Sequence, residues 1–357
     1  MIINSTFKPA WWLRNRHAQT MFPTFFRRPA KLAIHRERIE LPDGDFADCD
    51  WVGHGRNGPI VIVLHGLEGS IDSSYARGML ALVDRLGWRG ALLHFRGCSG
   101  EPNRLPIGYH SGFTVDLNFF VSRLRAAEPA TPLAAVGYSL GGNVLLKWLG
   151  ERGRSAPVAT AVAVSVPFDL AVAADTVEQG ASRIYNWYLL RSMRRSTARK
   201  FTRIDAPFPL PKLRTLRTFR QFDDAVTAPL HGFHGAEDYY RRASSRQYLG
   251  GIRVPTLILH SADDPLTGPR GIPTQEDLSP AITLELSQNG GHVGFVAGRR
   301  PWRPVYWLET RIRAHLMQYF EAATAAVSQP AEAAPALAAA DPRVFAAGSA
   351  GSSAAGK

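Results

Sequence analysis

A serine framed by two glycines lies where an apolar run gives way to a segment with helical spacing. In AAVGYSLGGNVLLKW, residues 134–148, Gly137 precedes Ser139 by two positions and Gly141 follows it by two. A serine at the apex of a sharp strand-to-helix turn adopts strained backbone angles, and side chains two positions away would crowd the adjoining elements. The pattern therefore predicts a nucleophile elbow that exposes Ser139 at the end of a strand.

Short β-branched runs alternate along the chain with longer segments of helical period. This alternation is typical of crossover units and predicts an α/β fold with a mostly parallel central sheet flanked by helices. We expect strands at 59–66, 88–95, 132–138, 157–166, 254–260 and, as the last one, 281–287, and helices at 74–87, 112–127 and 140–151.

The strand rhythm fails between Pro167 and about Gly251, where aromatic and basic helical material replaces it. An insertion of this kind between late strands of one sheet is expected to cover the carboxyl ends of the strands. The sequence predicts four parts: an N-terminal segment packing on the core (1–35), an α/β core in two pieces (36–166 and 252–321), a helical cap (167–251), and a disordered alanine-rich tail (322–357).

The charge balance of the chain is strongly basic, with 42 Lys and Arg against 30 Asp and Glu and a formal net charge of +12. Such a charge attracts phosphates. The densest basic runs, at 191–200 and 214–220, nevertheless lie in no known nucleic-acid-binding motif. We therefore expect no nucleic-acid partner.

Cysteine usage and hydropathy indicate the compartment. Cys49 and Cys98 are too few for a disulfide framework or a zinc site, which fits a reducing environment. No segment has the roughly 18 uncharged apolar residues of a membrane span, and the N-terminus lacks the apolar core of a signal peptide. We expect a cytoplasmic protein.

A serine hydroxyl needs a general base within hydrogen-bond reach, and the base needs a carboxylate that orients it. In a strand-turn-helix hydrolase these partners follow the serine in the order acid, then histidine, on loops after late strands. LILHSADDPLT places Asp263 and Asp264 just beyond a strand, and LSQNGGHVGF places His292 after the last expected strand. We expect Asp264, three residues after Ser261, to be the acid, with Asp263 and then Asp169 as alternatives.

An acyl-transfer intermediate carries an oxyanion that needs two preorganised backbone donors. We expect one to be the N–H of Leu140, directly after the serine, and the other to be the N–H of Leu67 in VLHGLEGS. In that loop Gly66 would permit close backbone approach and His65 would support the turn. Cys98 is expected to be a small residue near the pocket, and the chemistry requires no metal or organic cofactor.

Five motifs in order carry a family resemblance: WWLRNRHAQT, HGLEGS, HFRGCSGEPNR with YHSGFTVDL, GYSLGGN and GGHVGF. Over about residues 7–320 the chain resembles the YheT-like α/β-hydrolases, a bacterial group related to eukaryotic abhydrolase-domain lipases and phospholipases. The resemblance implies an α/β-hydrolase fold, hydrolysis of carboxylic esters, and a triad that falls on Ser139, Asp264 and His292.

The expected function is thus cleavage of small-molecule esters through an acyl-enzyme on Ser139. The alternatives are an acyltransferase with the same triad and an alcohol acceptor, and a non-catalytic binding protein on this fold. Arginines of the cap at 191, 194 and 195 suggest peripheral contact with an anionic lipid surface. Two roles are open for the large apolar residues of the cap, which could line a site for a hydrophobic acyl chain or pack the cap helices on the core: Phe168, Ile184, Tyr185, Trp187, Tyr188, Leu189 and Leu190.

Overall fold

The computed structural model describes residues 1–328, with the side chains of residues 1–321. Its strands are β1 (Ile2–Asn4), β2 (His35–Glu40), β3 (Phe46–Val52), β4 (Ile60–Leu64), β5 (Arg89–Leu93), β6 (Leu133–Tyr138), β7 (Thr160–Val164), β8 (Thr256–Ser261), β9 (Ile282–Ser287), β10 (Val296–Arg300) and β11 (Arg303–Tyr306). The helices are α1 (Arg16–Phe26), α2 (Ser74–Arg85), α3 (Val115–Ala127), α4 (Leu140–Arg152), α5 (Leu170–Val177), α6 (Arg183–Lys200), α7 (Phe219–Phe222), α8 (Ala228–His231), α9 (Ala236–Ala243) and α10 (Trp307–Ser328). A π-helical turn, Asp223–Thr227, joins α7 to α8.

A nine-stranded sheet with the order β1-β9-β8-β7-β6-β4-β5-β3-β2 forms the centre of the molecule. Its strands run parallel from β1 to β5, and β3 and β2 add an antiparallel edge. Parallel strands need crossover helices on both faces, so they are buried on both sides. The prediction of a mostly parallel α/β sheet flanked by helices is confirmed.

The strand β4 shows how the sheet divides two hydrophobic cores, because successive side chains of a strand point to opposite faces. Ile60, Ile62 and Leu64 pack with α3 and α4 on one face. Val61 and Val63 pack with α2 and α10 on the other. All five side chains are fully buried, so the run is apolar throughout and does not alternate with polar residues.

Two boundaries differ from the sequence-based expectation. The strand at 281–287 is not the last one, because the hairpin β10–β11 follows it and forms a separate two-stranded sheet. Its arginine-rich and glycine-rich sequence has no apolar run that would reveal a strand. Helix α10 continues through 322–328, where disorder was expected, since its alanine-rich sequence favours helix. The rest of the expected tail, 329–357, lies outside the described residues.

Helices α5 to α9, called the cap helices below, all lie between β7 and β8 in the chain. A pocket separates them from the loops that follow β4, β5, β6, β8 and β9, so they lie over the carboxyl ends of these strands. At the far edge of the sheet, β1 pairs with β9 and carries the N-terminal segment towards the same loops. Within residues 1–328, no helix combines the length and apolar character that crossing a bilayer requires.

Candidate active site

Ser139 lies at the sharp turn between β6 and α4. Its φ of 52° and ψ of −120° fall in a region that side chains rarely adopt. A Cβ atom on Gly137 would lie 2.5 Å from the carbonyl oxygen of Gly141, and one on Gly141 would lie 2.4 Å from the carbonyl oxygen of His65. Both contacts are with backbone, which cannot move aside. The turn therefore excludes every residue but glycine at these two positions.

The three side chains Ser139, His292 and Asp264 form a continuous line of hydrogen bonds. His292 Nε2 lies 2.9 Å from Ser139 Oγ, and His292 Nδ1 lies 2.8 Å from Asp264 Oδ2. Asp264 is 1% exposed, and its other carboxylate oxygen accepts the N–H of Leu266 at 2.8 Å. With Nδ1–H donating to the carboxylate, the lone pair of Nε2 points at the serine hydroxyl, the arrangement that general-base activation requires.

The two alternative carboxylates have other partners. Asp263 Oδ1 accepts the N–H of Gly291 and the hydroxyl of Ser261, both at 2.9 Å, and so supports the loop that carries the histidine. Asp169 caps α5 by accepting the N–H of Val172 at 3.1 Å. Of the three candidates, the structure brings Asp264 to the imidazole.

The histidine loop is held in place by residues that the sequence analysis did not single out. Thr20 Oγ1 on α1 accepts the N–H of His292 at 2.9 Å, and Ser165 Oγ accepts the N–H of Val293 at 3.0 Å. A Cβ atom on Gly291 would lie 2.5 Å from the carbonyl oxygen of Arg16, so α1 packs directly on the loop. The motif WWLRNRHAQT was the one sequence signal for this contact, since Thr20 is its last residue.

The loop after β4 lies against the serine. A Cβ atom on Gly66 would lie 3.3 Å from the Cβ of Ser139. The N–H of Gly66 donates to the hydroxyl of Tyr75 at 2.8 Å, whereas the N–H groups of Leu67 and Leu140 have no hydrogen-bond acceptor within residues 1–328. Leu140 is the first residue of α4, where backbone donors have no partner inside the helix.

His65 fastens this loop to the sheet. Its Nδ1–H donates to the carbonyl oxygen of Gly66 at 2.7 Å, and its Nε2 accepts the N–H of Phe95 at 3.1 Å. Burial lowers the pKa of His65 to about 3, so the ring is neutral around pH 7. The ring therefore links two loops and carries no charge around pH 7.

Glu68 links the same loop to the cap helices, a connection that sequence reasoning missed. Its φ is 55°, and its N–H donates to the hydroxyl of Tyr109 at 2.8 Å. The Tyr109 hydroxyl in turn donates to Glu68 Oε1 at 3.0 Å. The hydroxyls of Ser192 and Ser196 on α6 donate to Oε2 at 3.0 and 2.8 Å. The carboxylate thus joins the residue after Leu67 to a cap helix.

A pocket of about 210 Å³ opens from Ser139 and His292 towards the cap helices. Cap residues that line it include Leu170, Val177, Leu189, Met193, Phe222 and Val226. The wall is therefore mainly apolar, which suits an acyl chain. Within the described residues, no group of three or more His, Cys, Asp and Glu side chains is arranged to hold a metal ion.

Of the seven large apolar cap residues considered from sequence, only Leu189 lines this pocket. Ile184, Trp187 and Tyr188 are exposed. Phe168, Tyr185 and Leu190 are buried elsewhere. The residues of α6 that line the pocket are 189, 193, 196, 197, 199 and 200, whereas its exposed residues include 184, 187, 188 and 191. Both sets have helical spacing and both contain large apolar residues, so the sequence pattern did not reveal the inner face.

Cys98 also lines the pocket. Burial raises the pKa of its thiol well above the usual range, and the nearby carboxylate of Glu68 adds to this effect. A protonated thiol is a weak nucleophile. Cys98 therefore forms part of the pocket wall and supplies no reactive thiolate around pH 7.

Comparison with known proteins shows the family to which the chain belongs. A family model described as the alpha/beta hydrolase fold matches residues 59–298. YheT of Escherichia coli (strain K12), named as a candidate esterase, is 44% identical over 89% of this chain and 95% of its own length. The monoacylglycerol lipase of Saccharomyces cerevisiae is 34% identical over 68% of this chain and 57% of its own.

A solved esterase from Pyrococcus furiosus shares the fold, with a TM-score of 0.53 and 16% identity over 81% of this chain and 94% of that chain. The family match covers most of the sheet and the loops that carry the serine, the carboxylate and the histidine. The chain therefore belongs to the esterase- and lipase-like α/β-hydrolases, in the group that includes YheT.

Proposed function

We propose that this protein is a serine hydrolase that cleaves carboxylic esters through an acyl-enzyme on Ser139. The observation that carries the proposal is the line of hydrogen bonds from Ser139 Oγ through His292 to the buried carboxylate of Asp264, at the mouth of an apolar pocket. A strained serine in contact with an oriented imidazole is the arrangement that makes a hydroxyl nucleophilic near neutral pH.

The acylation step uses each of these groups in turn. His292 Nε2 takes the proton of Ser139 as Oγ forms a bond to the ester carbonyl carbon. The negative charge moves to the carbonyl oxygen, where the N–H groups of Leu67 and Leu140 would donate to it. The imidazolium then returns the proton to the leaving alcohol as the carbon–oxygen bond breaks. Asp264 holds the ring in the required tautomer and stabilises its positive charge.

Deacylation repeats the sequence with water. His292 Nε2 accepts a proton from a water molecule that attacks the acyl carbon, and a second oxyanion forms in the same place. The proton passes back to Ser139 Oγ as the acid leaves, which restores the resting state. No step requires a metal or an organic cofactor.

The pocket lining supports an ester with a hydrophobic acyl chain. Apolar surface buried against the cap helices would contribute binding energy in proportion to chain length. The names of the two curated relatives, a candidate esterase and a monoacylglycerol lipase, support the same class of substrate. We further propose that the protein acts in the reducing cytoplasm, with Cys49 and Cys98 as free thiols.

A panel of p-nitrophenyl esters of increasing chain length tests the proposal. Ser139→Ala should lower kcat at least about a thousandfold for every ester, because the triad acts as a unit. The exposed Ser155, at the end of a short helical turn, provides the matched control Ser155→Ala, which should leave turnover unchanged. Unchanged turnover in Ser139→Ala would refute the proposal. Faster transfer of the acyl group to an added alcohol than to water would replace it with the acyltransferase reading.

A further inference from the structure

The four most exposed large hydrophobic side chains of the described residues belong to two neighbouring segments. Trp302 is 74% exposed, Phe26 69%, Phe25 67% and Trp11 66%. Trp11 precedes α1, Phe25 and Phe26 end it, and Trp302 lies at the turn of the β10–β11 hairpin. Large apolar side chains gathered at one place on a surface indicate an interaction site.

Direct contacts join these segments into one surface. The indole N–H of Trp11 donates to the carbonyl oxygen of Arg299 at 3.0 Å, and that of Trp12 donates to the carbonyl oxygen of Gly298 at 3.2 Å. The Trp12 ring meets Phe22 at 5.1 Å, and Phe22 stacks on Phe26 at 5.0 Å. The hairpin and α1 are therefore held together through a row of aromatic rings.

The charge of this surface is of one sign. Residues 1–36 and 286–308 contain no Asp or Glu. Six of their arginines are exposed and have no ion-pair partner within the described residues: Arg14, Arg16, Arg28, Arg299, Arg300 and Arg303. Each acid that borders these ranges in sequence is already in an ion pair, in the pairs Glu37–Arg123, Glu285–Arg311 and Glu309–Arg27. The segments that carry the exposed aromatic residues thus also carry unpaired positive charge and no acidic side chain.

This surface adjoins the candidate active site through α1. Thr20 on that helix accepts the N–H of His292, and Gln19 holds β10 by bonds to both backbone groups of Val296. The ring of His17 stacks on Tyr185 of α6. Beyond this contact, α6 exposes Trp187 and Tyr188. One side of α1 therefore touches the histidine loop while its end presents Phe25 and Phe26 to solvent.

We propose that this surface, called the docking surface and formed by Trp11, Arg14, Phe25, Phe26, Arg28, Arg299, Arg300, Trp302 and Arg303, binds peripherally to a bilayer that contains anionic lipids. Tryptophan and phenylalanine partition into the interfacial region of bilayers, and arginines are attracted to anionic headgroups. A second copy of the chain is the poorer occupant, because it would bring two arginine-rich, acid-free faces together. The location differs from the cap arginines considered from sequence, of which Arg194 is engaged by the carbonyl oxygens of Leu190 and Leu216.

Vesicle cosedimentation of the full chain tests the proposal. Vesicles of phosphatidylcholine with phosphatidylglycerol should bind the protein at least about tenfold more strongly than vesicles of phosphatidylcholine alone, and added salt should weaken the difference. The quadruple variant Trp11→Ala, Phe25→Ala, Phe26→Ala, Trp302→Ala should lose about tenfold in binding to the mixed vesicles. The triple variant Arg28→Glu, Arg299→Glu, Arg300→Glu should lose the preference for phosphatidylglycerol.

Matched controls lie elsewhere on the surface. Val115→Ala removes an exposed apolar side chain, and the triple variant Arg85→Glu, Arg152→Glu, Arg154→Glu makes the same charge reversal at exposed positions. Both should bind vesicles as the wild type does. Turnover of a short, water-soluble ester should be unchanged in all variants, so failure of membrane binding and failure of ester hydrolysis are distinguishable.

Three results would overturn the proposal. The first is absence of binding to the mixed vesicles. The second is an equal loss of binding in the docking-surface and control variants. The third is binding of another occupant that is lost in the docking-surface variants. This occupant would be a second copy of the chain, seen as a concentration-dependent dimer, or RNA, seen as salt-sensitive binding without vesicle binding.

Discussion

The loops at the carboxyl ends of the strands, which carry Ser139, and the cap helices that cover them are built in different ways. The first of these two regions is called the catalytic loops below. All five non-glycine residues with positive φ within the described chain, Glu68, Ser139, Ser165, Val293 and Phe295, lie in the loops after β4, β6, β7 and β9. The cap helices have none. Side chains make many of their contacts with the core, such as those between α6 and Glu68.

The two regions therefore depend on different properties of the chain, one on the backbone conformation and the other on the identity of side chains. In the catalytic loops, the backbone itself is constrained, and the strain is concentrated where the candidate catalytic groups meet. In the cap, regular helices present side chains whose identity sets the shape of the pocket. Substitutions in the catalytic loops should therefore act on the chemical step or on folding. Substitutions in the cap helices should act on the choice of substrate.

The largest expected effect is a difference in kcat between substitutions of two adjacent carboxylates in the catalytic loops. Asp264→Asn should lower kcat by about a thousandfold to ten-thousandfold, because an amide no longer fixes the reactive tautomer of His292. Asp263→Asn should cost only about tenfold, since Asp263 supports the loop through the N–H of Gly291. Steady-state kinetics of both variants decide the matter. A greater loss in Asp263→Asn would exchange the two roles.

The next effect concerns the close approach of backbones at the elbow. Gly141→Ala would place a Cβ atom 2.4 Å from the carbonyl oxygen of His65 and 2.6 Å from that of Leu64. We expect it to lower the free energy of unfolding by about 3 kcal/mol, measured by urea denaturation. Gly250 provides the matched control, because a Cβ atom there would have no neighbour within 4 Å. Equal stability of the two variants would show that the elbow tolerates side chains.

A smaller effect is expected where the two regions are joined. Glu68→Gln keeps the shape of the side chain but weakens its bonds to Tyr109, Ser192 and Ser196. If these bonds position the N–H of Leu67 for the oxyanion, kcat should fall about tenfold with little change in KM. Asp72→Asn, at an exposed position of the same loop, is the control. A rise in KM at constant kcat would mean that Glu68 only shapes the pocket.

The smallest effect should come from the cap. Leu189→Ala enlarges the pocket and should raise KM for long-chain esters about threefold to tenfold while leaving kcat for short esters unchanged. Tyr188→Ala, one residue away on the exposed face of α6, should change neither value. Chain-length profiles of the two variants provide the measurement. The same profile for both would contradict the orientation of α6.

The sequence was informative where a short motif encodes a steric requirement. Gly137 and Gly141 flank Ser139 because the turn leaves no room for side chains, and that requirement can be read from five residues. The alternation of apolar strands and helices likewise predicted the parallel sheet, since its central strands β4, β6, β7 and β8 are buried on both faces.

The remaining features depend on partners that are remote in sequence. β1 is three residues long and becomes a strand only by pairing with β9, about 280 residues away. Thr20 supports the histidine loop only because α1 packs on Gly291. The inner face of α6 could not be chosen because large apolar residues occupy both of its faces. In each case the deciding contact is tertiary, and its partner cannot be identified from the local sequence.

Labelling with a fluorophosphonate tests the catalytic role of Ser139 most directly. The probe forms a covalent bond to a serine oxygen that a neighbouring base activates. Peptide mass spectrometry should find one adduct on Ser139 in the native protein, with labelling strongly slowed in His292→Ala and absent after heat unfolding. Adducts on another residue, or ester hydrolysis that persists while Ser139 stays unlabelled, would contradict the proposed chemistry.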